Sequence, residues 1–164
     1  MRAFEITDLK DFTGKLFLGT LFDDFYLKEA SFTTYATFTI DGFLQKNFYD
    51  TEEQKDLESS GQTLASWNTL KSIAFQIIRG KRSPLQFHMV LALSPEACEK
   101  FFDSSFSTEQ ASYYINLQFR SGKLLCTTGM SIRTFAPGLH MNSSWDDAVS
   151  TFFKKGQISF TNPG

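Results

Sequence analysis

Two helical patterns, each opened by Ser-Trp, constrain the fold of this chain more than any other feature. Residues 65–84 read ASWNTLKSIAFQIIRGKRSP, and residues 143–159 read SSWDDAVSTFFKKGQIS. Each pattern continues into an apolar stripe with helical spacing, then a basic tail, then a glycine. Trp67 and Trp145 are the only tryptophans in the chain. Because such large rings are usually buried, we expect each to pack the start of its helix against a neighbouring hairpin.

The segments before the first Ser-Trp helix predict a strand, a helix and a hairpin. "MRAFEI" is typical of a short strand, and Thr7 can cap the helix that follows. Residues 25–40 alternate between apolar and polar and predict one half-buried strand, which the Asp41-Gly42 turn connects to a partner strand, "FLQKNFY". Residues 50–62 predict a solvated short helix or loop. Ser66 then caps a helix whose buried stripe includes Ile73.

The second half repeats this order. Residues 85–93 form a short apolar run that predicts a central strand, and Ser94-Pro95 is a strong helix start. Ser121-Gly122 joins the two strands of a second hairpin, Ser144 is expected to cap the last helix, and "QISFT" can add a final strand.

The matching order indicates an internal duplication. Gly42 precedes Trp67 by 25 residues, and Gly122 precedes Trp145 by 23. We therefore predict a single α+β domain over 1–164, with a first repeat of about 1–83 and a second of about 84–164. Each repeat is a strand-helix-hairpin-helix unit, and together they form a mainly antiparallel sheet packed by helices with pseudo-two-fold symmetry.

The composition favours an ordered domain with an aromatic core. Apolar residues make up 41% of the chain and include nineteen phenylalanines, which argues against intrinsic disorder. A formal charge of −2 disfavours nucleic acid as a partner unless a local basic patch supplies the attraction. The first residues lack a signal-peptide pattern and no run is long enough to span a membrane, so we expect a cytoplasmic protein without membrane contact.

The chain contains few residues in catalytic or metal-ligating patterns. His88 and His140 have no ligand at metal-site spacing, and no Cys-x-x-Cys pair or phosphate-binding loop occurs. Cys98 and Cys126 lie in apolar segments that are typical of inert, buried thiols. We therefore expect no metal and no cofactor, and enzyme activity is not favoured.

The clearest candidate binding residues are basic. Arg79, Lys81 and Arg82 follow the first Ser-Trp helix, and Lys154 and Lys155 end the second. Two such helix ends related by a pseudo-dyad could bind phosphate, nucleic acid or an acidic partner, with Lys46 of the first hairpin as a weaker candidate. The alternative is that these cations only complement the negative ends of the helix dipoles.

Four short motifs resemble an uncharacterised family of small bacterial proteins, found mainly in Gram-positive anaerobes and classed as a domain of unknown function. These motifs are "ITDLKDF", "FTIDG", "GKRSPL" and "LSPE". The resemblance implies one intact domain and no catalytic residues. The repeated strand-helix-hairpin is also similar, at the level of fold alone, to the repeat of DNA sliding clamps.

Three functional hypotheses follow. The first is a non-enzymatic interaction module that binds a protein partner or self-associates through a sheet edge or apolar patch. The second is a clamp-like or nucleic-acid-binding accessory protein, which requires both basic helix ends on one concave face. The third is a small-molecule enzyme, which requires a pocket with converging titratable groups such as His88 or His140.

Overall fold

A computed structural model describes residues 1–102, 111–132 and 141–163, with side chains left out for 141–143. The strands are β1 (Ala3–Ile6), β2 (Tyr26–Thr33), β3 (Thr37–Asp41), β4 (Ala65–Ser66), β5 (Gln86–Ala92), β6 (Ala111–Arg120), β7 (Lys123–Ile132) and β8 (Phe160–Thr161). The helices are α1 (Leu9–Phe17), α2 (Thr51–Ser60), α3 (Trp67–Ile78), α4 (Pro95–Phe101) and α5 (Met141–Lys155), with a 3-10 helix at Lys46–Phe48.

The eight strands form one sheet in which every pairing is antiparallel. Its order is β3-β2-β5-β6-β7-β1-β8, and β4 pairs with the beginning of β2. The predicted α+β class with a mainly antiparallel sheet is therefore confirmed. The internal duplication is not confirmed, because β5 lies between β2 and β6 whereas β1, its counterpart in the first unit, lies beyond β7.

The core lies between one face of this sheet and helices α1, α3, α4 and α5. Phenylalanine rings dominate it: Phe17 of α1 packs edge-on against Phe87 of β5, and Phe153 of α5 against Phe4 of β1. Their centroids are 6.0 and 5.4 Å apart, within the range of favourable aromatic pairs. The aromatic core expected from the composition is thus present.

Both tryptophans are buried, but they pack against different kinds of element. The Trp145 indole Nε1–H donates to the Tyr114 carbonyl of β6 at 3.0 Å, so this ring contacts the β6–β7 hairpin as expected. The Trp67 indole Nε1–H instead donates to the Leu16 carbonyl of α1 at 2.8 Å. The Trp67 ring therefore contacts the last turn of α1, while the Trp67 backbone N–H donates to the Phe25 carbonyl, directly before the β2–β3 hairpin, at 2.8 Å.

Local signals in the second half are largely confirmed. The Ser94 hydroxyl accepts from the Ala97 N–H at 3.0 Å, and Pro95 is the first residue of α4. Ser121 and Gly122 have φ of 54° and 74°, which is the backbone that a two-residue hairpin requires. Ser144 is not a helix cap, because α5 begins three residues earlier, at Met141.

The first hairpin lies elsewhere than predicted. Residues 34–36 form the turn, Thr33 pairs with Thr37, and the chain bends back within the segment that the sequence indicated as one strand. "FLQKNFY" is not a strand, and Lys46 begins the 3-10 helix instead of lying in a hairpin. Ile73 is 54% exposed, so the buried stripe of α3 is narrower than expected. The N-cap of α1 is Asp8 instead of Thr7.

The second face of the sheet carries none of the core helices α1, α3, α4 and α5 among the described elements, and the end of α2 lines a cavity on it. Its side chains include a cross-strand row of Ser31, His88 and Gln118, and the last two are exposed. An antiparallel sheet tolerates this arrangement because its strands alternate between apolar and polar positions. Within the described residues, none of the helices combines the length and apolar character of a membrane span.

Candidate functional site, a basic-rimmed groove at the end of α3

A groove of about 500 Å³ lies where α3 ends beside the turn between β2 and β3. We call it the basic-rimmed groove. One wall is the last turn of α3 with the segment that follows it, and the other wall is the turn at residues 34–36. Its lining residues are Thr34, Tyr35, Ile77, Ile78, Arg79, Gly80, Lys81, Arg82, Ser83 and Leu85.

Three cations line the rim of this groove. Arg79, Lys81 and Arg82 are exposed, and none of them forms an ion pair with any residue that the structure describes. The described lining contains no Asp or Glu. A cluster of three positive charges without an internal counter-charge attracts anionic groups, most strongly at low ionic strength.

The floor and outer edge are apolar. Leu85 is 70% exposed and Tyr35 is 92% exposed, while Ile77 and Ile78 are partly buried beneath them. The Tyr35 ring packs edge-on against Phe38 at 5.7 Å, which supports it at the tip of the turn. Exposed apolar side chains that lie together beside a polar rim are typical of protein interaction sites.

One buried polar atom in the groove lacks a partner. The hydroxyl oxygen of Thr34 is inaccessible to solvent and forms no hydrogen bond with the described part of the chain. A buried hydroxyl without a partner costs about 1–3 kcal/mol.

The other predicted basic residues lie elsewhere. α3 begins beside Tyr26, at the beginning of β2, and ends near Thr33, at the end of β2. α5 begins near Tyr114, at the same end of the sheet as Tyr26, and leads to β8 at the opposite end. The basic C-terminal ends of both helices therefore lie at the same end of the strands. However, α3 packs on β2 and α5 on β7, which are three strands apart, or about 14 Å. Lys154 and Lys155 are exposed and do not line the groove.

Lys46 does not join either basic helix end. It is exposed on the 3-10 helix and lines none of the groove. The structure therefore brings together Arg79, Lys81 and Arg82 and leaves Lys46, Lys154 and Lys155 apart from them.

The titratable groups considered for enzyme chemistry are dispersed. His88 is exposed on the second face of the sheet, and His140 lies outside the described residues. Burial raises the pKa of the Cys126 thiol far above its ordinary value, which keeps the thiol protonated and unreactive. Among the described residues, no cluster of three or more His, Cys, Asp or Glu side chains is placed to hold a metal ion.

Sequence reasoning found the cations of the groove but missed its apolar part. Tyr35 and Thr34 were assigned to the interior of a strand, and Leu85 to a buried strand. In the structure the Thr33 and Thr37 hydroxyls lie 3.0 Å apart across the turn, but this cross-strand pair is evident only once the chain has turned.

Comparison with known proteins identifies the family. A family model described as a family of unknown function, DUF5721, matches residues 15–161, so the chain belongs to this family. The predicted membership of a family of unknown function is thereby confirmed. No curated protein and no solved structure matches the chain.

Proposed function

Because membership of DUF5721 assigns no activity, we propose from the surface alone that this protein is a non-enzymatic interaction module. The basic-rimmed groove would bind an acidic segment of a partner protein, with an apolar side chain of that segment anchored between Tyr35 and Leu85. The observation that supports the proposal best is the combination of three unpaired cations with an apolar floor in a groove whose described lining has no acid.

The chemistry of the groove favours a peptide over nucleic acid. Phosphate backbones are bound by cations spread along a surface, and the protein as a whole carries a formal charge of −2. The second basic helix end, at Lys154 and Lys155, lies about three strands away and would not extend the same cationic track. Ile77, Ile78 and Leu85 offer nothing to a phosphate but suit an aliphatic or aromatic side chain.

The same proposal includes a cytoplasmic location and leaves self-association as a testable alternative. Cys126 is a buried free thiol, which persists in a reducing compartment. β3 is an edge strand of the sheet, so a second copy could pair with it, and light scattering across a concentration series would detect such a dimer.

Fluorescence anisotropy with short synthetic peptides tests the proposal. The probe is a labelled peptide in which a Leu-Phe pair is flanked by Glu and Asp on both sides. One control peptide replaces the acids by Gln and Asn, and the other replaces Leu-Phe by two Ala. We expect the first peptide alone to bind well, and we expect its affinity to fall as salt rises.

Two matched double variants locate the binding. Lys81→Ala with Arg82→Ala should weaken the acidic peptide roughly threefold to tenfold, since each rim charge contributes a fraction of a kcal/mol to about 1 kcal/mol. Lys154→Ala with Lys155→Ala removes the same charge from the other helix end and should leave the affinity unchanged. Leu85→Ser should abolish the preference for Leu-Phe over two Ala.

Three outcomes would count against the proposal. Equal weakening by both double variants would mean attraction by overall charge, and no binding of any peptide would remove the groove from consideration. Tighter binding of single-stranded DNA than of the acidic peptide, lost with Lys81 and Arg82, would favour the nucleic-acid alternative.

A further inference from the structure

A second cavity, also of about 500 Å³, lies on the second face of the sheet, away from the core helices, and is separate from the basic-rimmed groove. Its floor is the beginning of β2, the end of β5 and the beginning of β6. Its roof is the segment between β3 and β4, which leaves the sheet and returns to it. We call it the open-face cavity.

The floor alternates large and small side chains along one cross-strand row. Tyr26 pairs with Ala92, Ala92 with Tyr114, and Tyr114 with Gly129. Tyr26 and Tyr114 are therefore two strand spacings apart, about 9.5 Å, with only a methyl group between them. Ala92, itself only 5% exposed, is thus the low point of the cavity floor between two aromatic side chains, and a flat group that enters the cavity can lie in this slot above its methyl group.

A β-bulge positions one cation over this slot. The register of β2 against β5 passes from Leu27 directly to Glu29, so Lys28 is the extra residue. Bulges redirect side chains, and here the Lys28 Nζ lies 4.9 Å from the centroid of the Tyr114 ring. Lys28 forms no ion pair with a described residue, and the described lining of the cavity contains no Asp or Glu.

The roof is held to the sheet by backbone hydrogen bonds. The Leu44 N–H donates to the Thr63 carbonyl at 2.9 Å, the Ala65 N–H donates to the Gly42 carbonyl at 2.8 Å, and the Gly42 N–H donates to the Lys28 carbonyl at 2.9 Å. Phe43 and Leu64 form an isolated bridge at the cavity wall. The cavity is therefore preformed, which lowers the entropic cost of binding.

The remaining lining offers polar groups that can orient a ligand. Ser60, Gln62, Thr63 and Tyr26 are lining residues with polar side chains. Burial, and secondarily the Glu96 carboxylate, raise the pKa of Tyr26, so this hydroxyl stays protonated and remains a hydrogen-bond donor. The volume lies within the range of small-molecule sites, about 300–1,000 Å³.

We infer that the open-face cavity binds a small molecule made of one flat aromatic or heterocyclic unit that carries a single negative charge. The flat unit lies in the slot above Ala92 between the two tyrosine rings. The anionic group contacts Lys28, which is the only cation in the described lining. This inference is independent of peptide binding, because no residue lines both the groove and the cavity.

Nuclear magnetic resonance of the full chain tests this inference with named probes. Indole-3-carboxylate and benzoate are flat and anionic, indole-3-carboxamide has the shape without the charge, and cyclohexanecarboxylate has the charge without the flat ring. We expect the two flat anions to shift the backbone amide signals of Lys28, Gln62 and Tyr114 in a saturable way. The carboxamide and the cyclohexane acid should bind more weakly than the flat anions by a factor of roughly ten or more.

Two variants address the two parts of the site. Lys28→Met keeps the length of the side chain without its charge and should weaken indole-3-carboxylate roughly tenfold while leaving the carboxamide unaffected. Ala92→Leu fills the slot between Tyr26 and Tyr114 and should abolish binding of both compounds. The groove variant Lys81→Ala with Arg82→Ala serves as the matched control and should bind indole-3-carboxylate like the wild type.

The inference is wrong if neither flat anion shifts these signals at millimolar concentration, where weakly bound fragments are detected. It is also wrong if the shifts cluster at Arg79, Lys81 and Arg82, or if Lys28→Met binds as tightly as the wild type. Unchanged dispersion of the remaining amide signals in Lys28→Met confirms that the variant is folded, so a loss of binding is attributable to the charge.

Discussion

Gly42 is the residue at which the smallest substitution should have the largest effect. Its N–H donates to the Lys28 carbonyl, and a methyl group added there would lie 1.7 Å from the Leu27 carbonyl oxygen and 2.7 Å from the Leu27 carbonyl carbon. These are backbone atoms of a core strand, so no side-chain rotation relieves the clash. Gly42→Ala must displace either β2 or the chain that follows Gly42.

The expected cost of Gly42→Ala follows from two contributions. Overpacking in a well-packed region costs about 1–3 kcal/mol. Weakening the hydrogen bond to the Lys28 carbonyl adds about 1 kcal/mol. We therefore expect the free energy of unfolding to fall by about 2–4 kcal/mol, which lowers the Tm by roughly 4–16 °C in a domain of this size.

Gly14→Ala provides the matched control, because it is the same substitution in a different environment. Gly14 lies inside α1, and an added methyl group would meet nothing within 4 Å. Alanine is the better helix former, so this variant should gain about 0.5–1 kcal/mol. Urea unfolding followed by tryptophan fluorescence measures both. Effects of the same sign, or a Gly42→Ala change below about 0.5 kcal/mol, would refute the reasoning.

Two further predictions concern buried groups. Trp67→Phe removes the indole donor from the Leu16 carbonyl and opens space beside Phe17. The free energy of unfolding, measured by urea denaturation, should therefore fall by about 2–4 kcal/mol. An unchanged urea midpoint would contradict this prediction. Iodoacetamide at mildly alkaline pH should leave Cys126 unmodified in the native protein and alkylate it in urea. The reason is that only the thiolate reacts, and burial raises the pKa of the Cys126 thiol in the folded state. Mass spectrometry of the peptide that contains Cys126 provides the readout.

The parts of the fold that were predictable are those encoded by local chemistry. Ser94-Pro95 starts α4 through a side-chain cap, and Ser121-Gly122 adopts the positive φ values of its hairpin without help from distant residues. Asp41-Gly42 resembles an equally strong turn signal, but Gly42 is required for close packing against Leu27 and does not have a positive φ. A glycine can therefore be required either by a positive φ or by close packing against another chain segment, and the sequence alone does not distinguish these two requirements.

The real turn, at residues 34–36, has no glycine, proline or asparagine to mark it. Long-range pairing fixes it instead: Phe32 pairs with Phe38 on one side and with Phe87 of β5 on the other. The same reasoning explains the candidate site. Arg79, Lys81 and Arg82 are visible as a basic run, whereas Tyr35 joins them only because the chain turns at residue 34.

Both candidate binding surfaces depend on the segment in which local pattern and fold disagree. The turn that follows β2 supplies Thr34 and Tyr35 to the basic-rimmed groove, and the bulge near the beginning of β2 places Lys28 in the open-face cavity. Positions where a chain departs from its local conformational preferences are often functional, because the departure lowers the stability of the fold without being needed for packing. The buried hydroxyl of Thr34, which has no partner among the described residues, and the extra residue of the bulge, Lys28, are departures of this kind. Because they lie at opposite ends of β2, variants at Lys28 and at Lys81 with Arg82 should separate the two binding activities.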